Sequence, residues 1–330
     1  MPRIPYDRMY NEFSRVLLKY GCTEDRADLC ARLFAETSRD GVYSHGLNRF
    51  PAFIQGIKDG YIDIHAGPAR FGNSGIMERW DGNLGPGNLN AWYSMERAVE
   101  LAKTHGLGGV ALRNTNHWMR GGSYGWQAAE AGVIGLCWTN TIPNLPPWGG
   151  KDARLGNNPF VIGIPRAEGH VVIDMAMSQF SYGKLESYRL NEKQLPVAGG
   201  YDRQGEFTKD PAAIEQTGRV LPIGYWKGSG LALVLDMVVS LLSEGDASYQ
   251  IGEKGEEYGI SQIFLALALP DAEGGNKQVN AILNFLKQAE IASAEDEVFY
   301  PGEQTLRRRA ENLEKGIPAD SEYWDQVLAL

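Results

Sequence analysis

The sequence predicts an α/β fold in which a mixed α/β centre is framed by helices from both ends of the chain. Three observations predict it. Apolar residues recur at helical spacing through the first sixty residues, short β-branched runs alternate with helical patterns over residues 68–269, and helical patterns return beyond Lys277. A chain of 330 residues is long enough for a large α/β unit and a second region with its own core. The expected division is a helical region over 1–66, an α/β domain over 67–275, and C-terminal helices over 276–330 that pack back on the N-terminal region.

Met9, Phe13, Val16, Leu17 and Tyr20 form the stripe of a first helix that Gly21 stops. Thr23 offers an N-cap to a second, with Glu24 and Asp25 in its first turn and Ala27, Cys30, Ala31 and Phe34 as its buried stripe. Phe50, Phe53, Ile54 and Ile57 continue helically to Gly60. Strands are expected over 77–80, 110–112, 133–139, 160–164, 171–174 and 263–269, with helices over 91–105, 123–131 and 231–242. Residues 192–219, rich in Gly, Pro, Asp and Gln, read as a long surface excursion. Helices are expected again over 279–289, 306–313 and 324–328.

Composition narrows the function classes. The formal charge of −9 disfavours nucleic acid and anionic membrane as main partners, since both reward positive charge. Cys22, Cys30 and Cys137 are too few and too scattered for a disulfide framework or a structural zinc site, and they read as reduced, packed thiols. The N-terminal residues lack the apolar core of a signal peptide, and the longest apolar run is far short of the ~20 residues a bilayer needs. A cytoplasmic location is the expectation. Five histidines without an H-E-x-x-H pattern argue against a metal-dependent hydrolase or lyase, and no metal site is expected. The eight tryptophans keep a non-catalytic carbohydrate-binding protein open as a rival from another class.

The chemistry concentrates around His45. Ser44, His45 and Arg49 sit between two helical patterns, and a tight turn places the imidazole and guanidinium on one face. Histidine exchanges protons near neutral pH, and the fork of arginine matches a carboxylate. The pair therefore suits a substrate with a carboxylate beside a reacting carbonyl. A second polar cluster, Asn116, His117, Trp118 and Arg120, follows the 110–112 strand, in the position where open α/β sheets gather ligands. Asp174 ends another strand, where it can orient a histidine, grip a ribose or cap the next helix. Two glycine-rich segments invite a phosphate reading. Gly85-Pro86-Gly87 lacks the third glycine of the dinucleotide fingerprint and reads as a plain turn, while Trp226-Lys227-Gly228-Ser229-Gly230 opens the most apolar helix.

Taken together, Ser44-His45-Gly46 with Arg49, Asn114-Thr115-Asn116-His117, Gly156-Asn157-Asn158-Pro159, the run from Ile173 to Ser178, and Tyr225 to Gly230 resemble the malate/L-lactate dehydrogenase family of NAD(P)-dependent oxidoreductases. The resemblance covers nearly the whole chain. It implies a mixed-sheet NAD-binding domain unlike the usual Rossmann type, a discontinuous helical domain from both termini, and a homodimer. It implies His45 as proton donor, with Ser44 and Arg49 beside it, and a 2-keto sugar acid reduced to the 2-hydroxy acid. Malate-, lactate- and sulfolactate-type acids and cyclic-imine carboxylates are the alternatives within the family. Substrate contacts are expected from Asn116, His117, Trp118 and Arg120. NADH, with NADPH as the alternative, is expected to touch His170, Val171, Val172, Ile173, Asp174, Met175, Ala176, Trp226, Lys227, Gly302, Glu303 and Gln304. Two residues depart from the pattern: Trp118 stands where many relatives have something smaller, and Met177 where they have threonine.

Overall fold

The computed structural model describes residues 2–293 and 297–330. After a short strand β1 (Arg3–Ile4), helices α1 (Tyr6–Lys19) and α2 (Glu24–Arg39) pack antiparallel. They bury the expected stripes, and Phe13, Phe34 and Phe50 meet with ring centroids 4.3 to 5.9 Å apart. Two successive 3₁₀ turns, Tyr43–His45 and Leu47–Arg49, lead into α3 (Phe50–Lys58). The Ser38 hydroxyl fixes this corner by accepting the Leu47 N–H at 2.8 Å. A Cβ on Gly46 would lie 2.1 Å from that hydroxyl, so only glycine lets the turn close against α2.

The centre comprises β2 (Ala69–Ser74), β3 (Met77–Asp81), α4 (Gly87–His105), β4 (Leu107–Thr115), α5 (Gly122–Glu130), β5 (Val133–Thr139), β6 (Phe160–Ile164) and β7 (Val171–Met175). Then come α6 (Tyr182–Leu190), β8 (Gly200–Tyr201), β9 (Phe207–Thr208), α7 (Pro211–Thr217), α8 (Trp226–Ser243), α9 (Ser248–Glu253) and β10 (Ile260–Ala268). Seven strands form one mixed sheet in the order β2-β3-β4-β10-β5-β6-β7. Only β3 and β4 pair in parallel; the long strand β10 runs antiparallel between β4 and β5. Helices α4 and α5 cover one face through Val110, Leu112, Cys137 and Phe264, and α8 covers the other through Ala111, Trp138 and Ile263. The alternation of inward residues along β4 and β10 is what two covered faces require.

Helices α10 (Ala272–Lys287), α11 (Glu303–Lys315), strand β11 (Ile317–Pro318) and helix α12 (Ser321–Ala329) complete the chain. Strand β11 pairs antiparallel with β1, α12 contacts α1 and α3, and α11 contacts α2. Helix α10 instead lies by the β6–β7 turn, where Arg166 reaches Asn280 at 2.6 Å.

One expectation about local structure needs correction. Residues 192–219 are not an unstructured excursion, since they hold the β8–β9 hairpin and α7 and bury Leu195 and Ile214 in the core beneath α8. Their core contacts are few and widely spaced, so no periodicity marks them. The segment opening at Ser181 is a helix, capped by the Ser181 hydroxyl accepting the Lys184 N–H. Helix α8 is apolar all round, yet buries only one side; Leu233, Val234, Met237 and Leu241 stay exposed. By length and composition it passes as a membrane span, but its buried side lies on the sheet.

Buried Asp40, at the end of α2, ties the halves together. It accepts hydrogen bonds from Arg39, from Arg120 at 2.7 Å, and from both ends of the Arg309 fork at 2.8 Å. Burial alone would raise its pKa, but the Arg309 bonds and the charges of Arg120 and Arg39 hold it far below the usual carboxylate range. Asp40→Asn is expected to cost roughly 3–5 kcal/mol, as breaking a buried ion pair does. A group with a depressed folded pKa contributes fully above its unfolded value, ~3.9, and loses that contribution as pH falls below it. Urea unfolding should therefore show a constant gap between wild type and variant from pH 8 to 5 that narrows only below about pH 4.

Candidate active site

His45 ends the first 3₁₀ turn and stands where two cavities meet. The first, of about 610 Å³, runs along β7, the edge strand of the sheet, and is walled by Val42, the segment from His117 to Gly121, and the segment from Phe299 to Pro301. The second, of about 540 Å³, lies between α3, α6 and α12 and is lined mostly by polar side chains. His45, His117, Asn157, Pro159 and Ser181 line both, which makes the two one continuous cleft.

The His45 ring is held from one side. Its Nδ1 lies 2.8 Å from the Ser44 hydroxyl, so Nε2 is the atom left for the cleft. The His117 ring lies 5.8 Å away, tilted by 28°. His117 Nδ1 accepts the Met119 N–H at 3.0 Å, which fixes the neutral ring with its proton on Nε2. Met119 takes a positive φ of 64° to make that bond. Burial lowers the pKa of both rings, and the charge of Arg49 adds to this in each case. Asp174 opposes the shift at His45 alone, so His45 is the ring that takes a proton first. Asp174 is itself anchored at the start of α5, where its Oδ2 accepts the Gly122 N–H at 2.7 Å.

The remaining expected residues divide cleanly. Arg49 lines the second cavity and has no carboxylate partner within ion-pair distance among the described residues. Trp118 and Arg120 line the first cavity; the Trp118 ring is buried against Tyr124 and Phe264, and Arg120 is bonded to Asp40. Asn116, expected as a substrate contact, lines neither cavity. Its amide nitrogen donates to the carbonyls of Tyr61, Leu84 and Gly85, leaving it as a latch between loops. Val172, Ile173, Asp174, Ala176, Gly302 and Gln304 line the first cavity, but His170, Val171 and Met175 do not. The Glu303 carboxylate pairs with Lys287 and Arg307. Trp226 and Lys227 lie outside both cavities because α8 packs on the sheet face opposite α5.

Asn157, Ser181 and Glu257 are among the cleft residues that were not expected. Asn157 spends its Oδ1 on Thr141 and Asn144 and leaves its amide nitrogen in the cleft without a partner among the described residues. The Gly156-Asn157-Asn158-Pro159 pattern was a signal for it. Ser181 and Glu257 carried no such pattern; only the folding of distant loops puts them beside His45.

The sequence pattern of the malate/L-lactate dehydrogenase family matches residues 4–328. This chain belongs to the malate/L-lactate dehydrogenase family. Curated relatives named 2,3-diketo-L-gulonate reductase include one from Citrobacter koseri, 48% identical with 99% of this chain and 100% of that one covered. Another, from Escherichia coli O6:K15:H31, is 47% identical over the same shares. Among solved structures, malate dehydrogenase from Entamoeba histolytica superposes with a TM-score of 0.93 at 26% identity, covering 99% of this chain and 96% of that one. Sulfolactate dehydrogenase from Methanocaldococcus jannaschii gives 0.89 at 29%, covering 99% and 95%. The fold is therefore that of the malate/L-lactate dehydrogenase family, and the chain is an oxidoreductase that works with a nicotinamide cofactor.

The first cavity fits such a group. Gly302, with φ of 96°, caps the N-terminus of α11 without any side-chain cap, and the first-turn residues Gln304 and Thr305 line the cavity. Their backbone donors suit a phosphate. A Cβ at Gly302 would stand 3.0 Å from the Val172 nitrogen, so glycine keeps α11 close to β7.

Proton NMR titration tests the electrostatics. The His117 signals should stay at their neutral positions from pH 8 to 6, while His45 titrates below its ordinary value of ~6.5. Asp174→Asn removes the one charge that raises His45, so the His45 midpoint should fall further. An unmoved midpoint would show that Asp174 does not act on the ring.

Proposed function

We propose that this chain reduces the keto group of a 2-keto sugar acid with NADH, giving the 2-hydroxy acid. The substrate we assign is 2,3-diketo-L-gulonate, the compound named for the 47–48% identical relatives. One observation carries the reading: His45 stands where a strand-edge cavity fit for a dinucleotide opens into a polar cavity whose single Lys or Arg, among the described residues, is Arg49.

When bound, the reduced nicotinamide supplies the hydride. Arg49 grips the substrate carboxylate with its planar fork, which brings the neighbouring keto carbon to the junction of the cavities. Negative charge grows on the keto oxygen, and His45 delivers the proton from Nε2. The Ser44 hydroxyl accepts the Nδ1–H of the imidazolium and holds the ring in line. His117 stays neutral and offers its Nε2–H to a substrate oxygen, with the Asn157 amide as a second donor. Val172, Ile173, Asp174, Ala176, Gly302 and Gln304 would hold the cofactor. The buried Trp118 ring shuts water out from beneath the cleft.

We further propose a homodimer joined through the exposed side of α8. Leu233, Val234, Met237 and Leu241 form its contact surface, and Asp236, the one acid in the helix, is occupied with Asn140 and the start of α9. Two copies thus meet without like charges in contact. The three cysteines, all buried free thiols, suit a reducing cytoplasm.

Loss of NADH absorbance across a panel of 2-keto acids is the direct test. His45→Ala should leave NADH affinity nearly unchanged and lower turnover by 10²–10⁴-fold, the usual worth of a general acid. Wild-type turnover in that variant would sink the assignment. Val234→Glu with Leu241→Glu should halve the mass measured by sedimentation; an unchanged mass would place the contact elsewhere.

A further inference from the structure

The wall of the second cavity that faces Arg49 carries Glu257, which no step of the reaction above uses. Its carboxyl is anchored: Oε2 accepts the Ile142 N–H at 3.0 Å, while Oε1 makes no hydrogen bond among the described residues. The loop that bears it is held on both sides. Lys254 donates to the Tyr258 carbonyl and pairs with Asp246, and the Tyr258 ring stacks on Tyr61 at 5.2 Å. Thus one oxygen of a rigidly placed carboxyl is open to the substrate cavity. Burial pushes the Glu257 pKa up, and the Ile142 bond and the Arg49 charge pull it part of the way back.

We propose that Glu257 determines substrate class at this site: its Oε1 accepts a hydroxyl of the substrate chain beyond the keto group, and its charge turns away a second carboxylate. The inference rests on the second cavity being the substrate site. With Arg49 engaged by the first carboxylate, the far end of a dicarboxylate would meet Glu257 and Glu186, and among the described residues the cavity lining holds no second Lys or Arg. A polyhydroxylated chain meets acceptors and donors instead: Glu257, Thr141, Asn157 and Tyr182. A site built to bind a hydroxyl also rejects the analogue that lacks it, because its own polar atom is then left unpaired.

The test compares kcat/KM for 2,3-diketo-L-gulonate, pyruvate and oxaloacetate, with NADH and the full chain. Glu257→Gln keeps volume and an acceptor for the Ile142 N–H but removes the charge. Glu257→Asp keeps the charge and shortens the reach. For the diketo acid, both variants should lose about 10- to 100-fold, mainly in KM, the worth of one hydrogen bond to a charged group. Pyruvate should change by no more than about twofold. For oxaloacetate, Glu257→Gln should gain about tenfold and Glu257→Asp should gain nothing, as expected for a charge effect. Equal losses on all three substrates, or an unchanged preference, would overturn the role of Glu257 while leaving the functional reading intact. A wild-type chain that reduces none of the three overturns that reading and this inference together.

Discussion

The active cleft depends on one buried carboxylate. Asp40 lies five residues before His45 and binds arginines from three places: its own helix, the loop after β4, and α11. Each of those segments forms part of the cleft or its support. An ion cluster is directional where apolar packing is not, so it fixes how the helical segment bearing His45 faces the sheet edge. Arg309 also lies over the Trp126 ring at 4.6 Å, which carries the same restraint to the cavity wall.

That restraint sets the electrostatics of the two rings. His45 and His117 share a desolvated junction, and two imidazolium ions so close would repel one another. The Met119 amide commits His117 to neutrality, and Asp174 favours the charge on His45. The result is one ring that takes a proton more readily beside one held neutral, a difference that arises from environment and not from residue type.

The helical ends were legible because their apolar stripes are long and regular, and the strands of the central sheet because short β-branched runs are bounded by turn residues such as Gly132, Pro159 and Pro165. The 192–219 region was not, since its burial rests on isolated residues such as Leu195 and Ile214. His45, Arg49, His117 and Arg120 were legible as dense polar clusters at element ends. Asn116 belonged to the same cluster yet turns away, and nothing in residue type distinguishes a carboxamide that latches loops from one that binds substrate.

By itself the sequence determined the α/β class, the family through its motifs, and the identity of the histidine at the centre, because these depend on local pattern and residue chemistry. Tertiary structure alone decided which side chains reach the cleft. Asn157 and Glu257 enter it from loops separated by a hundred residues, and Trp226 and Lys227 are carried to the far face of the sheet by the packing of α8. The physical reason is that a strand or helix buries one face by pattern, whereas the direction of a loop is set by what it packs against.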